Sequence, residues 1–302
     1  MRRVLVTGAS GFIGRNALAP LIARGYEVHA VSWDGERPAA NGVAWYRTDL
    51  LEPEAVARLM AAVKPSHLLH FAWYAAPGKY QASEENLRWC RAGIDLIAEF
   101  AKAGGRRAVF AGSCFEYDLR HGYCSEAITP CAPATRYGVC KLSLGQIVTK
   151  CPPEGMSTAW GRIFYLYGPE EAASRLAASV IVALLKGERA RCSHGRQVRD
   201  FMHVGDVADA FVAILDSDVR GVVNIGSGEP VTVRSIVERI ADVMDARGRV
   251  EFGAIEAAAG DPAIVLADIS RLRDEVGWAP RMGLDEGIAE TVRWWRAKLR
   301  IS

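Results

Sequence analysis

Residues 6–14 read "VTGASGFIG", with Gly8, Gly11 and Gly14 spaced three apart, straight after the apolar run "RVLVT" (3–7) and ahead of a helix-period segment over 12–24. Glycines in a strand-to-helix turn allow a tight reversal and close approach of backbone N–H groups to a phosphate, which then lies against the positive end of the helix. The spacing is G-x-x-G-x-x-G rather than G-x-G-x-x-G, so the loop draws its weight from its place in a first βα turn. Downstream, "EVHAV" (27–31), "HLLHFA" (67–72), "RAVFAG" (107–112) and "TAWGRIFYL" (158–166) are short and rich in bulky apolar residues, with "GVAWY" (42–46) and "GVVNIG" (221–226) as weaker and later additions. Helix-period segments over 53–63, 83–103 and 134–150 lie between them. Wholly apolar strands divided by helices predict a parallel sheet covered on both faces, an α/β doubly wound (Rossmann) fold.

After residue 166 the pattern turns helical, with segments over 172–187, 205–217, 232–246 and 283–299, few strand signals, and "GDPAIVLAD" (260–268) in a loop-rich interval. This divides the 302 residues into a dinucleotide-binding unit, 1–166, and a smaller, mostly helical substrate-binding unit, 167–302. The strand near 221–226 is expected to return to the first unit.

Hydrophobic residues make up 50% and charged residues 24%, with a formal charge of +2, a balance that predicts neither a nucleic-acid partner nor a membrane surface. The main basic patch, "ERARCSHGRQVR" (188–199), reads either as a solvated face or as a phosphate contact. Seven cysteines without a C-x-x-C pair fit neither a zinc site nor a disulfide framework, so no metal is expected and the thiols read as reduced in a cytoplasmic protein. The first strand starts almost at Met1, leaving no room for a signal peptide, and no apolar run is long enough to cross a bilayer.

In "YGVCK" (137–141) a tyrosine and a lysine stand one helical turn apart and share a face. Two readings are open. One is a surface helix with a snorkelling lysine. In the other, the ammonium lowers the phenol from its reference pKa of about 10 toward neutrality.

"TGASGFIG", "YGVCK", "RDFMHVGDVADA" (199–210), "NIGSGEP" (224–230) and "DEVGWAP" (274–280) occur in this order. Together they resemble the extended short-chain dehydrogenase/reductase family, the NAD(P)-dependent nucleotide-sugar epimerases and dehydratases. The resemblance implies that Tyr137 is the acid/base, that Lys141 binds the nicotinamide ribose and lowers the tyrosine's pKa, and that Ser113 of "GSCFEY" (112–117) hydrogen-bonds the reacting oxygen. It implies a dinucleotide along Gly8, Ser10, Gly11, Phe12, Ile13 and Gly14, the end of the second strand, Asp49 and Leu50, and Phe71, Ala72 and Trp73 of the loop after the fourth strand. Trp73, Tyr74 and Tyr80 of that loop are candidates to cover the sugar ring, and His121 and Tyr123 are rim candidates. His203 reads as structural.

Three departures sharpen the reading. Where family dehydratases carry an Asp-Glu pair after the Ser/Thr, this chain has Cys114 and Phe115, with Glu116 one place late and so expected on the opposite strand face. Neither Cys114 nor Phe115 does carboxylate chemistry, which disfavours a dehydratase. Ser32 stands where NAD-preferring relatives have Asp or Glu, with Asp34 slightly late and Arg37 nearby, which favours NADP(H) with NAD(H) as the alternative. Tyr165 replaces an Asn that contacts the substrate diphosphate, leaving that contact to Arg199 with Arg175 or Arg196.

The function expected is reduction of a keto group on a nucleotide-diphosphate sugar, at C4, with NADPH. The alternatives are a 4-epimerase holding NAD tightly and a non-catalytic dinucleotide sensor or scaffold. The helices at 83–103 and 134–150, with Leu87, Ile94, Ile97, Leu142 and Ile147, are expected to form a homodimer interface as in the family.

Overall fold

The structure, a computed structural model, describes residues 2–35, 37, 41–258 and 260–301. Seven strands form one parallel sheet: β1 (Arg3–Thr7), β2 (Glu27–Ser32), β3 (Val43–Arg47), β4 (His67–His70), β5 (Arg107–Ser113), β7 (Ser157–Ile163) and β11 (Gly221–Ile225). Their order is β11-β7-β5-β4-β1-β2-β3, so the chain winds outward from β1 in both directions. β1, β2, β4, β5 and β7 are almost wholly buried, as apolar runs without alternation require, whereas β3 at the sheet edge is half exposed.

The first four helices lie close to their expected spans: α1 (Gly14–Ala23), α2 (Pro53–Val63), α3 (Glu85–Lys102) and α4 (Arg136–Lys150). α2 opens on Pro53, which needs no N–H bond there, and Thr135 caps α4 by accepting the Gly138 N–H at 3.1 Å. Two apolar layers cover the sheet. One packs α2, α3 and α4 residues such as Met60, Phe100 and Leu144 around Phe110 and Trp160. The other joins α1 to α6 (Val204–Asp216), through Leu18, Leu21, Phe211 and Ile214.

The division at residue 166 therefore needs correction. β11 pairs with β7 in the large sheet, as expected, but α6 belongs there too. The remaining helices, α5 (Leu176–Leu185), α7 (Val233–Val243) and α8 (Leu284–Leu299), build a separate core with Tyr167. The second half is also richer in strands than its sequence suggests: β6 (Tyr123–Cys124), β8 (Tyr165–Tyr167), β10 (Val198–His203), β12 (Pro230–Thr232) and β14 (Ile264–Ala267) form a second sheet, and β9 (Ala190–Cys192) pairs with β13 (Val250–Phe252). Most are two to four residues long, too short to show a periodicity.

Asp200, in the middle of β10, is fully buried and accepts the backbone N–H groups of Ser227 at 2.6 Å, Gly228 at 3.0 Å and Ala267 at 3.2 Å. It ties β10 to β14 and to the turn after β11. Removing a partner from a buried donor costs about 1–3 kcal/mol each. Asp200→Ala is therefore expected to destabilise the protein by about 3 kcal/mol or more, read as a lower denaturant midpoint than that of Asp200→Asn.

Candidate active site

The carboxyl ends of the large sheet open onto one cleft of about 1180 Å³, which runs from the glycine-rich turn to β10. At one end lie Gly8, Ser10, Gly11, Phe12, Ile13 and Gly14. Gly8 has φ +66°, and a Cβ there would stand 2.7 Å from the Ala72 nitrogen; a Cβ on Gly14 would stand 2.1 Å from the Gly8 carbonyl oxygen. Glycine is thus required twice, once for the turn and once for the approach of α1 to it. The N-terminus of α1 has no side-chain cap and no acidic residue in its first turn, so the turn fits a dinucleotide pyrophosphate. Asp49, Leu50, Phe71, Ala72 and Trp73 extend this wall. Asp49 does not cap α2; its Oδ1 accepts the Leu51 N–H at 2.9 Å, and Glu52 occupies the cap position.

Two residues of the expected dinucleotide site are placed differently. Ser32 is buried outside the cleft lining and donates its hydroxyl to Asp34 Oδ1 at 2.6 Å, while accepting the Gly35 N–H at 3.1 Å. Arg37 is exposed and is not among the described residues lining the cleft. Trp33, exposed at the cleft mouth, is a lining residue that sequence reading passed over.

Ser113, Tyr137 and Lys141 do converge at the floor. Ser113 ends β5, Tyr137 and Lys141 lie on the first turns of α4, and both Ser113 and Tyr137 line the cleft. Gly138 makes this approach possible, since a Cβ there would stand 2.4 Å from the Phe115 carbonyl oxygen. The Lys141 ammonium lies 5.9 Å from the Tyr137 ring centre, beneath the lining, and donates to the Ala111 carbonyl at 2.8 Å.

The expectation of a lowered tyrosine pKa fails in this state. Burial pushes the Tyr137 phenol well above its usual value, against which the Ser113 side chain works in the opposite direction. Lys141 itself is lowered to about 7, chiefly by burial. The cation that was to supply the pull is thus only weakly held charged.

The residues after Ser113 form a tight helical turn rather than a continued strand, so the alternation argument for Glu116 does not apply. Glu116 is fully buried and accepts from the Ser113 N–H at 2.8 Å, the Trp160 indole at 2.9 Å and Arg162 Nε at 2.7 Å. It holds the Ser113 turn and takes no part in the cleft lining.

At the far end, Tyr74, Cys114, Tyr165, Arg175 and Arg199 all line the cleft. Cys114 is buried and its thiol is pushed up by burial, a packing residue with one face on the cleft. Arg199 is buried, bonded to Asp261 at 2.6 Å and set 5.2 Å over the Tyr165 ring, so part of its charge is already matched. Arg175 lies 5.3 Å over Tyr80, whose ring meets Tyr137 edge-on at 4.8 Å. Arg196 is exposed outside the lining, and His121 and Tyr123 lie beside Asp118 and Asp268, away from the cleft. His203 caps α6, accepting the Gly205 N–H at 3.2 Å. Among the described residues no cluster of three His, Cys, Asp or Glu is placed to hold a metal, and no helix is long and apolar enough to cross a membrane.

A cleft of this build, with a glycine turn at one end and Ser, Tyr and Lys at its floor, defines a Rossmann oxidoreductase of the short-chain dehydrogenase/reductase class. The model of the NAD dependent epimerase/dehydratase family matches residues 4–226, and the chain belongs to that family. It is 27% identical to UDP-glucose 4-epimerase of Bacillus subtilis over 331 aligned residues, covering 96% of each chain. Among solved structures it resembles UDP-glucose 4-epimerase of Thermus thermophilus in complex with NAD (27% identity, 97% and 99% of the two chains, TM-score 0.83). It also resembles MoeE5 in complex with UDP-glucose and NAD (31% identity, 98% and 99%, TM-score 0.85).

Sequence reading missed Glu171. It lines the cleft near Arg175, is nine-tenths buried, and leaves Oε2 without a partner; burial raises its carboxyl to about 8. A folded-state pKa above the unfolded one stabilises the fold fully below the unfolded carboxylate range, and that stability is lost as pH rises through about 8. Thermal midpoints of the wild type are expected to fall between pH 5 and pH 9 more steeply than those of Glu171→Gln (pH values spanning, roughly, the range between the two pKa limits). Parallel slopes would contradict the assignment.

Proposed function

We propose that this chain is an NAD(H)-dependent 4-epimerase of a nucleotide-diphosphate hexose, with Tyr137 as acid/base, Ser113 as partner of the reacting oxygen and Lys141 as the supporting cation. The observation that carries this reading is that Ser113 and Tyr137 line one cleft continuous with the glycine turn, with Lys141 on the next turn of the same helix. A dinucleotide held along the glycine turn would supply the hydride acceptor and donor for the reaction. Tyr137 takes the proton from the sugar hydroxyl as the alcohol becomes a ketone and returns it when the alcohol is restored. Ser113 fixes the oxygen through both states, and Arg175 and Arg199 face the substrate diphosphate.

The sequence alone favoured a 4-ketoreductase using NADPH, and the same three residues serve both reactions. Asp34 tips the cofactor toward NAD(H). Its carboxylate, held by Ser32 at the end of β2, disfavours a 2′-phosphate, and Arg37 stands off the lining. The NAD-bound relatives support the same choice. Purified protein incubated with UDP-glucose is expected to form UDP-galactose without added reductant, and to release NAD on denaturation. Stoichiometric consumption of NADPH with a 4-keto sugar would establish the ketoreductase instead. Tyr137→Phe is expected to reduce turnover about 10²–10⁴-fold with NAD affinity retained.

We also infer a two-fold homodimer through α3 and α4. Leu87, Ile94, Val139 and Ile147 are exposed on these helices, whereas Ile97 is spent in the core. A standard interface buries about 1,600 Å². Light scattering should give twice the mass of the chain, and Leu87→Glu with Ile94→Glu should give the monomer mass.

A further inference from the structure

Trp73 stands at the turn after β4 and lines the cleft, yet its indole is not spent on the lining alone. The Lys141 ammonium lies 3.8 Å from the centre of its ring. The ring of Tyr137 meets it edge-on, with centres 6.4 Å apart and planes at 82°. The indole is itself pinned: Nε1 donates to Asn86 Oδ1 at 2.8 Å, and Asn86, fully buried at the start of α3, donates to the carbonyls of Tyr80 at 2.6 Å and Ser83 at 2.8 Å. One side chain therefore touches both ends of the "YGVCK" pair and is anchored outside it.

We propose that Trp73 is a positioning residue for proton transfer, its indole face, braced by Asn86, holding the Lys141 ammonium beside Tyr137. The proposal rests on the roles of Tyr137 and Lys141 given above. Its physics is that of a cation over an aromatic face, which favours the charged amine. Other groups face Lys141 as well. Glu116, from the turn after β5, favours its charge but is shared with Arg162; Cys90, from α3, adds a smaller pull; His70, from β4, is held neutral by burial, its pKa lowered to about 3; and the Tyr137 phenol is held protonated. Burial opposes the charge most strongly, leaving Lys141 near 7. The indole face works against that burial.

The test uses Trp73→Leu, which removes the aromatic face, and Trp73→Phe, which keeps one. Lys141 is titrated in the full chain by NMR after reductive ¹³C-methylation, a readout that needs no substrate. Trp73→Leu is expected to lower the lysine's proton affinity about threefold to thirtyfold, a fall of about 0.5–1.5 pH units. Trp73→Phe should lower it by less than half as much. In the wild type the active pair is charged lysine with ionisable phenol. Losing the indole should thus move the limb of the turnover profile that follows Lys141 down in pH, together with the NMR titration. A lowered plateau with unmoved limbs, or a lysine that titrates alike in all three proteins, overturns the proposal. If the wild type turns over no nucleotide sugar, the functional reading fails while the lysine titration still decides the role of Trp73.

Discussion

The buried carboxylate of Glu116 is the constraint on which the floor of the cleft depends. A fully buried charge is tolerated only when paired and hydrogen-bonded, and here the pairing comes from Arg162 on the neighbouring strand β7. Burial alone would ease the Arg162 proton off, but the charge and hydrogen bond of Glu116, with Tyr117 and Cys131, together outweigh it and the guanidinium stays firmly protonated. Because the same carboxylate accepts the Ser113 N–H and the Trp160 indole, the strand end, the turn and the adjacent strand move as one piece. Gly112 belongs to this arrangement as well, since a Cβ there would stand 2.0 Å from the Trp160 indole nitrogen. Ser113 is presented to Tyr137 by this network rather than by its own rotamer preference.

Much of this was legible in the chain because it is local. A glycine turn between an apolar strand and a helix identifies itself within nine residues, and α2 begins and ends where its periodicity and Pro53 place it. The strands of the large sheet announce themselves because burial on both faces enriches them in apolar residues without alternation. The assembly of Ser113, Tyr137 and Lys141 was also legible, but through ordered motifs and not through any property of the residues alone.

What could not be read is non-local. Glu116 and Arg162 are 46 positions apart, and nothing near either marks the other as its partner. Ser32 looked like the absence of a carboxylate, whereas its hydroxyl recruits the carboxylate of Asp34 two residues on. The charge state expected of the tyrosine was reversed because helical spacing reports proximity and says nothing of desolvation, which here is the larger effect on both partners. Arg199, read as a diphosphate contact, spends part of its charge on Asp261, a residue 62 positions away.

The return of β11 and α6 to the first sheet bears on how the chain is made. β7 remains an open edge until β11 arrives, and the apolar face of α1 remains uncovered until α6 packs on it. An emerging chain thus carries a glycine turn, a complete "YGVCK" helix, most of a sheet and the core on one of its faces, while the other face stays open until about residue 225 has left the ribosome. Synthesis delivers the small unit's β8, α5 and β10 before the large unit is closed. A chain cut at residue 166 would expose both the β7 edge and the apolar face of α1 to whatever apolar surface it met first.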